Sequence, residues 1–141
     1  MNLTPPNIES VVETAVYADD LDAAERFYVD VLGLHLIGKE VGRHVFFRVG
    51  VGNVLLIFRP ESTLQGGGPF PPHGARGAGH FALGIKADCL DPWRQHLRTK
   101  GVTIEQEISW PRGGKSIYFR DPAGNLVELL TPGLWSTPAG W

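Results

Sequence analysis

An α+β fold is predicted, with two βαβββ modules forming a cupped mixed β-sheet and helices on its outer face. Three observations in the 141-residue sequence predict it. The segment Arg43–Phe58 lies without a gap on Lys115–Leu130, an offset of 72 residues, with Phe47/Phe119, Arg48/Arg120, Gly52/Gly124 and Asn53/Asn125 identical. The same order of strand, capped helix and strand precedes both segments. Between the copies, residues 59–79 are rich in glycine and proline and carry Gly66-Gly67-Gly68, Pro69, Pro71 and Pro72, the composition of a connecting loop.

Taken in order, Glu13–Tyr17 reads as a strand. An aspartate, Asp19 or Asp20, can cap the helix that follows. Leu21, Ala24, Phe27, Tyr28 and Leu32 form its apolar stripe, and Gly33 supplies a left-handed stop. Leu34–Ile37 is the next strand, and Arg43–Phe58 a hairpin turning at Gly52-Asn53. In the second half His80–Ile85 is a strand, Asp91 and Pro92 suit an N-cap and first helical position, and Gly101 ends that helix. Val102–Glu107 is then a strand and Lys115–Leu130 the second hairpin. The expected organisation is one domain over 1–141: module 1 at about 10–58, a linker at 59–79, module 2 at about 80–131 and a tail at 132–141. The tail's Trp135 and Trp141 are expected to pack on the domain or in a dimer contact.

Composition narrows the function classes. With 43% hydrophobic residues, 20% charged residues and net charge −2, the chain has a sizeable core and no basic stripe for nucleic acid. No apolar run approaches the roughly 20 residues of a membrane span. Met1–Ser10 lacks a secretory pattern, and a lone Cys89 cannot form an internal disulfide, so a cytoplasmic location is expected.

Alternation along strands then sorts side chains by face. Val12, Thr14 and Val16, then Phe81, Leu83 and Ile85, then Val127 and Leu129, form helix-facing sets. The opposite faces carry Glu13, Ala15 and Tyr17; His80, Ala82 and Gly84; and Leu126, Glu128 and Leu130. A carboxylate such as Glu128 among apolar strand neighbours is costly unless compensated. Two compensations stay open from the residues alone. Glu13, His80 and Glu128 could hold a divalent ion, or Glu128 could pair with Arg48 or Arg120 while His80 only hydrogen-bonds.

Three strings are similar to the vicinal oxygen chelate superfamily, which includes glyoxalase I, fosfomycin-resistance and bleomycin-resistance proteins, methylmalonyl-CoA epimerase and extradiol dioxygenases. They are Glu13-Thr-Ala-Val-Tyr-Ala-Asp-Asp-Leu-Asp22 with Phe27-Tyr28 and Val31-Leu-Gly-Leu34, then Gly79-His-Phe-Ala-Leu83, and Tyr118-Phe-Arg-Asp-Pro-Ala-Gly-Asn-Leu-Val-Glu128. The resemblance spans about Val11 to Pro132 and places Glu13, His80 and Glu128 at three of the family's ligand positions. The fourth, at the repeat offset from Glu128, is Leu56, which cannot bind a metal and so departs from glyoxalase I. Two carboxylates and one histidine imply one Mn, Ni, Zn or Mg ion per site, with Fe a second choice because dioxygenases use two histidines.

The resemblance implies an ion that holds two neighbouring substrate oxygens as a Lewis acid. His44 and Tyr118 are the candidate catalytic groups, and Tyr17, Phe46, Phe58, Ser116 and Tyr118 the candidate substrate contacts. Ser116 and Tyr118 fall where fosfomycin-resistance enzymes place phosphonate-binding hydroxyls. His35, His73 and His96 receive no role. The expected function is a metal-dependent enzyme on a small oxygenated substrate, either a glyoxalase-like lyase or isomerase or a fosfomycin-resistance-like transferase. The alternatives are a metal-free bleomycin-resistance-type binding protein and an Fe(II) extradiol dioxygenase. A homodimer is expected, with sites that Glu13 of one chain and His80 and Glu128 of the other could share.

Overall fold

A computed structural model describes residues 4–141. It contains two four-stranded mixed sheets of identical topology, as the repeat requires. Module 1 comprises β1 (Glu13–Tyr17), α1 (Leu21–Arg26), β2 (His35–Glu40), β3 (His44–Val49) and β4 (Asn53–Phe58), in the sheet order β1-β4-β3-β2. After α2 (Pro60–Thr63), module 2 comprises β5 (His80–Gly84), α3 (Leu90–Thr99), β6 (Gln106–Ser109), β7 (Lys115–Arg120) and β8 (Leu126–Leu130), in the order β5-β8-β7-β6. In each sheet the first strand runs parallel to the last and the rest are antiparallel.

Asp20 caps α1, its Oδ1 accepting from the Ala23 amide at 3.0 Å. The helix does not continue regularly to Gly33. It widens into a π-helical turn over Phe27–Val31, closed where the Leu32 amide donates to the Phe27 carbonyl at 3.3 Å. Adjacent Phe27 and Tyr28 are thereby both buried between the sheets. Tyr28 lies 5.5 Å from Phe47 of sheet 1 and 6.3 Å from Phe81 of sheet 2, and Phe27 is 6.2 Å from Phe119. One apolar core thus serves both modules, joined by Val45, Leu55 and Ile57 from one sheet and Ile117, Val127 and Leu129 from the other.

Module 2 departs from expectation in two places. Its helix begins earlier, with a 3₁₀ turn at Ala87–Cys89 running into α3, so Asp91 lies inside the first turn and caps nothing. Residues 102–105 are not a strand; β6 starts at Gln106, and Val102 and Ile104 pack on the core from the loop. In β1 only Val16 of the expected apolar face is buried, whereas Val12 is 59% exposed, because β1 is an edge strand and the arm before it is uncovered.

The linker has structure of its own. Pro60 and Thr63 are buried in α2, and the His73 amide returns to the Thr63 carbonyl at 3.0 Å. The tail splits: Trp135 is 65% exposed, while the Trp141 ring lies against bare Gly84 and leaves no room for a Cβ there. Gly84→Ala should therefore expel that indole, read as a shift of the Trp141 side-chain N–H resonance with a stability loss of about 1 kcal/mol or less.

Candidate functional site

Register places the two non-core faces in exact analogy. On sheet 1, Ala15, Leu56, Phe46 and Gly38 form one row, flanked by Glu13–Val54 and by Tyr17–Phe58–His44. On sheet 2 the matching row is Ala82, Glu128, Tyr118 and Gln106, flanked by His80–Leu126 and by Gly84–Leu130–Ser116. Glu128 and Leu56 are equivalent positions, as are Tyr118 and Phe46, and Ser116 and His44.

Glu128 is 6% exposed, and Oε1 lies 3.3 Å from Nε2 of His80. Its other oxygen accepts from the Ser116 hydroxyl at 2.5 Å, and Ser116 accepts from the Trp110 indole at 2.8 Å. Ser116 is only 1% exposed, so the hydroxyl expected at substrate instead holds the carboxylate. Nδ1 of His80 sits 3.0 Å from the Leu126 carbonyl, which can only accept. Nδ1 therefore carries a hydrogen, and Nε2 is the ring nitrogen that faces Glu128. Arg120 does not neutralise Glu128: it is bound to Glu105 at 2.8 and 3.1 Å and to the Gly124 carbonyl at 3.1 Å, a turn-bracing role. Burial pushes the Tyr118 hydroxyl above its ordinary pKa; a hydrogen bond with Ser116 opposes this and the Glu128 charge adds to it. Tyr118 is thus a proton-bearing donor near neutrality.

Glu13 is not with this pair. Among the described residues no group of three or more His, Cys, Asp or Glu side chains converges on one point within the chain. The two sheets of one chain come together through their apolar faces, around Phe27 and Tyr28. Glu13 instead lines a cavity of about 950 Å³ over sheet 1 and the linker, with His44, Phe46, Leu56 and Phe58.

In that cavity Arg43 Nη1 donates to His44 Nδ1 at 2.7 Å, since a guanidinium has no lone pair to offer. His44 then carries its proton on Nε2. Burial, then the Arg43 charge, holds this imidazole below its ordinary pKa, which favours the neutral ring. Its ring stacks on Phe46 at 3.9 Å and 6°. Tyr17 bonds His73 Nδ1 at 2.8 Å, and His73 meets Phe58 edge-on at 4.6 Å. Sequence reasoning missed His73 and Phe70 here and Trp110 after β6, because no strand alternation or repeat governs a loop residue's direction, and it missed Arg43 because that residue precedes β3 in a turn.

Residues 10–129 match the family described as the Glyoxalase/Bleomycin resistance protein/Dioxygenase superfamily. The chain belongs to this superfamily. Within it, biphenyl-2,3-diol 1,2-dioxygenase 3 of Rhodococcus globerulus is 31% identical over 132 residues, 92% of this chain; the chain spans 64% of that enzyme's length. A probable lactoylglutathione lyase of Synechocystis is 28% identical, covering 85% of this chain and 93% of the relative. The crystal structure of a lactoylglutathione lyase from Agrobacterium tumefaciens superposes with a TM-score of 0.88 at 42% identity, covering 95% of this chain and 100% of the other. The superfamily's members include enzymes, and the chain shares their paired-module frame.

Proposed function

We propose that the protein is a metal-dependent, glyoxalase-like lyase or isomerase of a small oxygenated substrate, working as a homodimer. Glu13 of one copy would complete a site with His80 and Glu128 of the second. The observation that carries this reading is the buried Glu128 carboxylate, which among the described residues pairs with no arginine and faces Nε2 of a carbonyl-tethered histidine at 3.3 Å. A carboxylate and an imidazole nitrogen so placed share either a proton or a cation, and a divalent ion would serve both. The donor set fits one Mn, Ni, Zn or Mg ion, with Fe second.

Such an ion supplies Lewis acidity toward two neighbouring oxygens. The chain's own groups would supply positioning and hydrogen-bond donors, and an oxygen of Glu13 or Glu128 would accept and return the proton moved between the substrate's neighbouring carbons. Ser116 and Trp110 fix the Glu128 rotamer, Tyr118 donates to a developing oxyanion, and His44 Nε2–H offers a second donor from the sheet 1 face. Phe46, Phe58 and Tyr17 form apolar walls. The lactoylglutathione lyase relatives favour the adduct of glutathione with a 2-oxoaldehyde as the first substrate to test.

Purified protein should contain about one divalent ion per chain and isomerise the methylglyoxal–glutathione adduct. Chelation should lower the rate about a hundredfold or more, restored by Mn, Ni or Zn. A metal-free protein without turnover would instead support the binding-protein alternative, and bound iron with catechol cleavage the dioxygenase one.

A further inference from the structure

We propose that the sheet 1 cavity binds an aromatic ring of the substrate, seated among Phe46, Phe58 and the linker residue Phe70. This rests on the reading above only in setting the substrate's two oxygens at the Glu13 end. Duplication made the two sheet faces equivalent, and their side chains have diverged. Where sheet 2 carries Glu128 and Tyr118, sheet 1 carries Leu56 and Phe46, so one half is a polar donor face and the other an apolar aromatic one.

Several details shape that face for a ring. Gly38 lies across from Phe46, and a Cβ there would come within 3.2 Å of the Phe46 ring, so only glycine leaves it undisturbed. Phe58 meets Phe46 edge-on at 5.3 Å, forming an aromatic corner. Arg43 sits 5.4 Å from the Phe58 centroid and 5.9 Å from that of Phe70, which ties the linker ring to the corner through cation–π attraction. A hydrogen bond between the Tyr17 hydroxyl and His73 Nδ1 ties the linker to the sheet, and the His73 amide, donating to the Thr63 carbonyl, closes the linker on itself. Phe70 is nonetheless 67% exposed, an apolar surface facing a cavity that a planar ligand would cover. A volume of about 950 Å³ is that of a drug-sized ligand site.

The test compares benzohydroxamate with acetohydroxamate on manganese-loaded protein by calorimetry. Both present the same pair of chelating oxygens and differ only in phenyl against methyl. Benzohydroxamate should bind about tenfold tighter or more, and Phe70→Ala should cut that ratio at least about threefold while leaving acetohydroxamate unchanged. Equal affinities overturn the aromatic subsite. In metal-free protein, 2-naphthol should still shift the backbone amides of Phe46, Phe58 and Phe70 in ¹⁵N-edited spectra. Those shifts support the subsite even if neither hydroxamate binds, which would count against the metal reading alone, and their absence overturns it.

Discussion

Asp121→Ala is expected to destabilise the protein by about 3 kcal/mol or more, lowering the melting temperature by roughly 10 °C. Asp121 is 4% exposed and collects donors from across the molecule. It accepts from the Tyr28 hydroxyl at 2.7 Å, from the amides of Ala123 and Asn125 at 2.9 and 2.8 Å, and from the Asn125 side chain at 2.9 Å. Asn125 in turn donates to the Tyr17 carbonyl at 3.1 Å and accepts from the Gly79 amide at 2.8 Å. Alanine leaves several buried donors unsatisfied at the seam where α1 meets module 2, each costing about 1–3 kcal/mol. Denaturant melting checks the magnitude, and a loss under about 1 kcal/mol would contradict the network's assigned weight.

The same network makes a pH prediction. Burial, then the Asp121 charge and hydrogen bond, raises the Tyr28 hydroxyl far above its ordinary value of 10.0. Below that ordinary value both folded and unfolded chains keep the proton, so the contribution is constant. Above it only the unfolded chain loses the proton, and stability should fall as pH rises. Tyr28→Phe should remove this part of the alkaline slope while leaving the neutral-pH fold intact.

Much of this architecture was legible because it is periodic or repeated. The ungapped match of Arg43–Phe58 to Lys115–Leu130 required two hairpins in the same register, and strand alternation put Glu13, His80 and Glu128 on the non-core faces. That an aspartate at 19 or 20 caps α1 followed from side-chain chemistry, and the structure selects Asp20. What stayed hidden depends on tertiary contacts. Nothing in Phe27-Tyr28 signals a π-helical turn until both rings must enter a core shared by two sheets. Val102 and Ile104 look like a strand but are held by packing from a loop. His73 and Phe70 lie in a Gly- and Pro-rich linker whose path over sheet 1 is set by Tyr17, Thr63 and Arg43. Alternation could place each ligand candidate on a face but could not say which faces meet within one chain.

Glu13→Ala and His80→Ala are each expected to lower lyase activity about a hundredfold or more alone, yet to restore each other when mixed. If every site draws Glu13 from one copy and His80 with Glu128 from the other, a mixed dimer holds one site with all three native ligands and one lacking two. Random re-pairing of equal amounts makes about half the dimers mixed, so about a quarter of wild-type activity should return. Sites built within single chains would return none, because each chain would still lack a ligand. Co-expression with two different affinity tags isolates the mixed dimer and excludes failed exchange as the cause of a negative result. In that preparation about half of wild-type activity is expected, with about one metal ion per dimer. The distance from Glu13 to His80 through the chain is immaterial to this outcome. What matters is that the shared apolar core turns the two polar faces away from a common centre, and a second copy is the simplest source of the missing half.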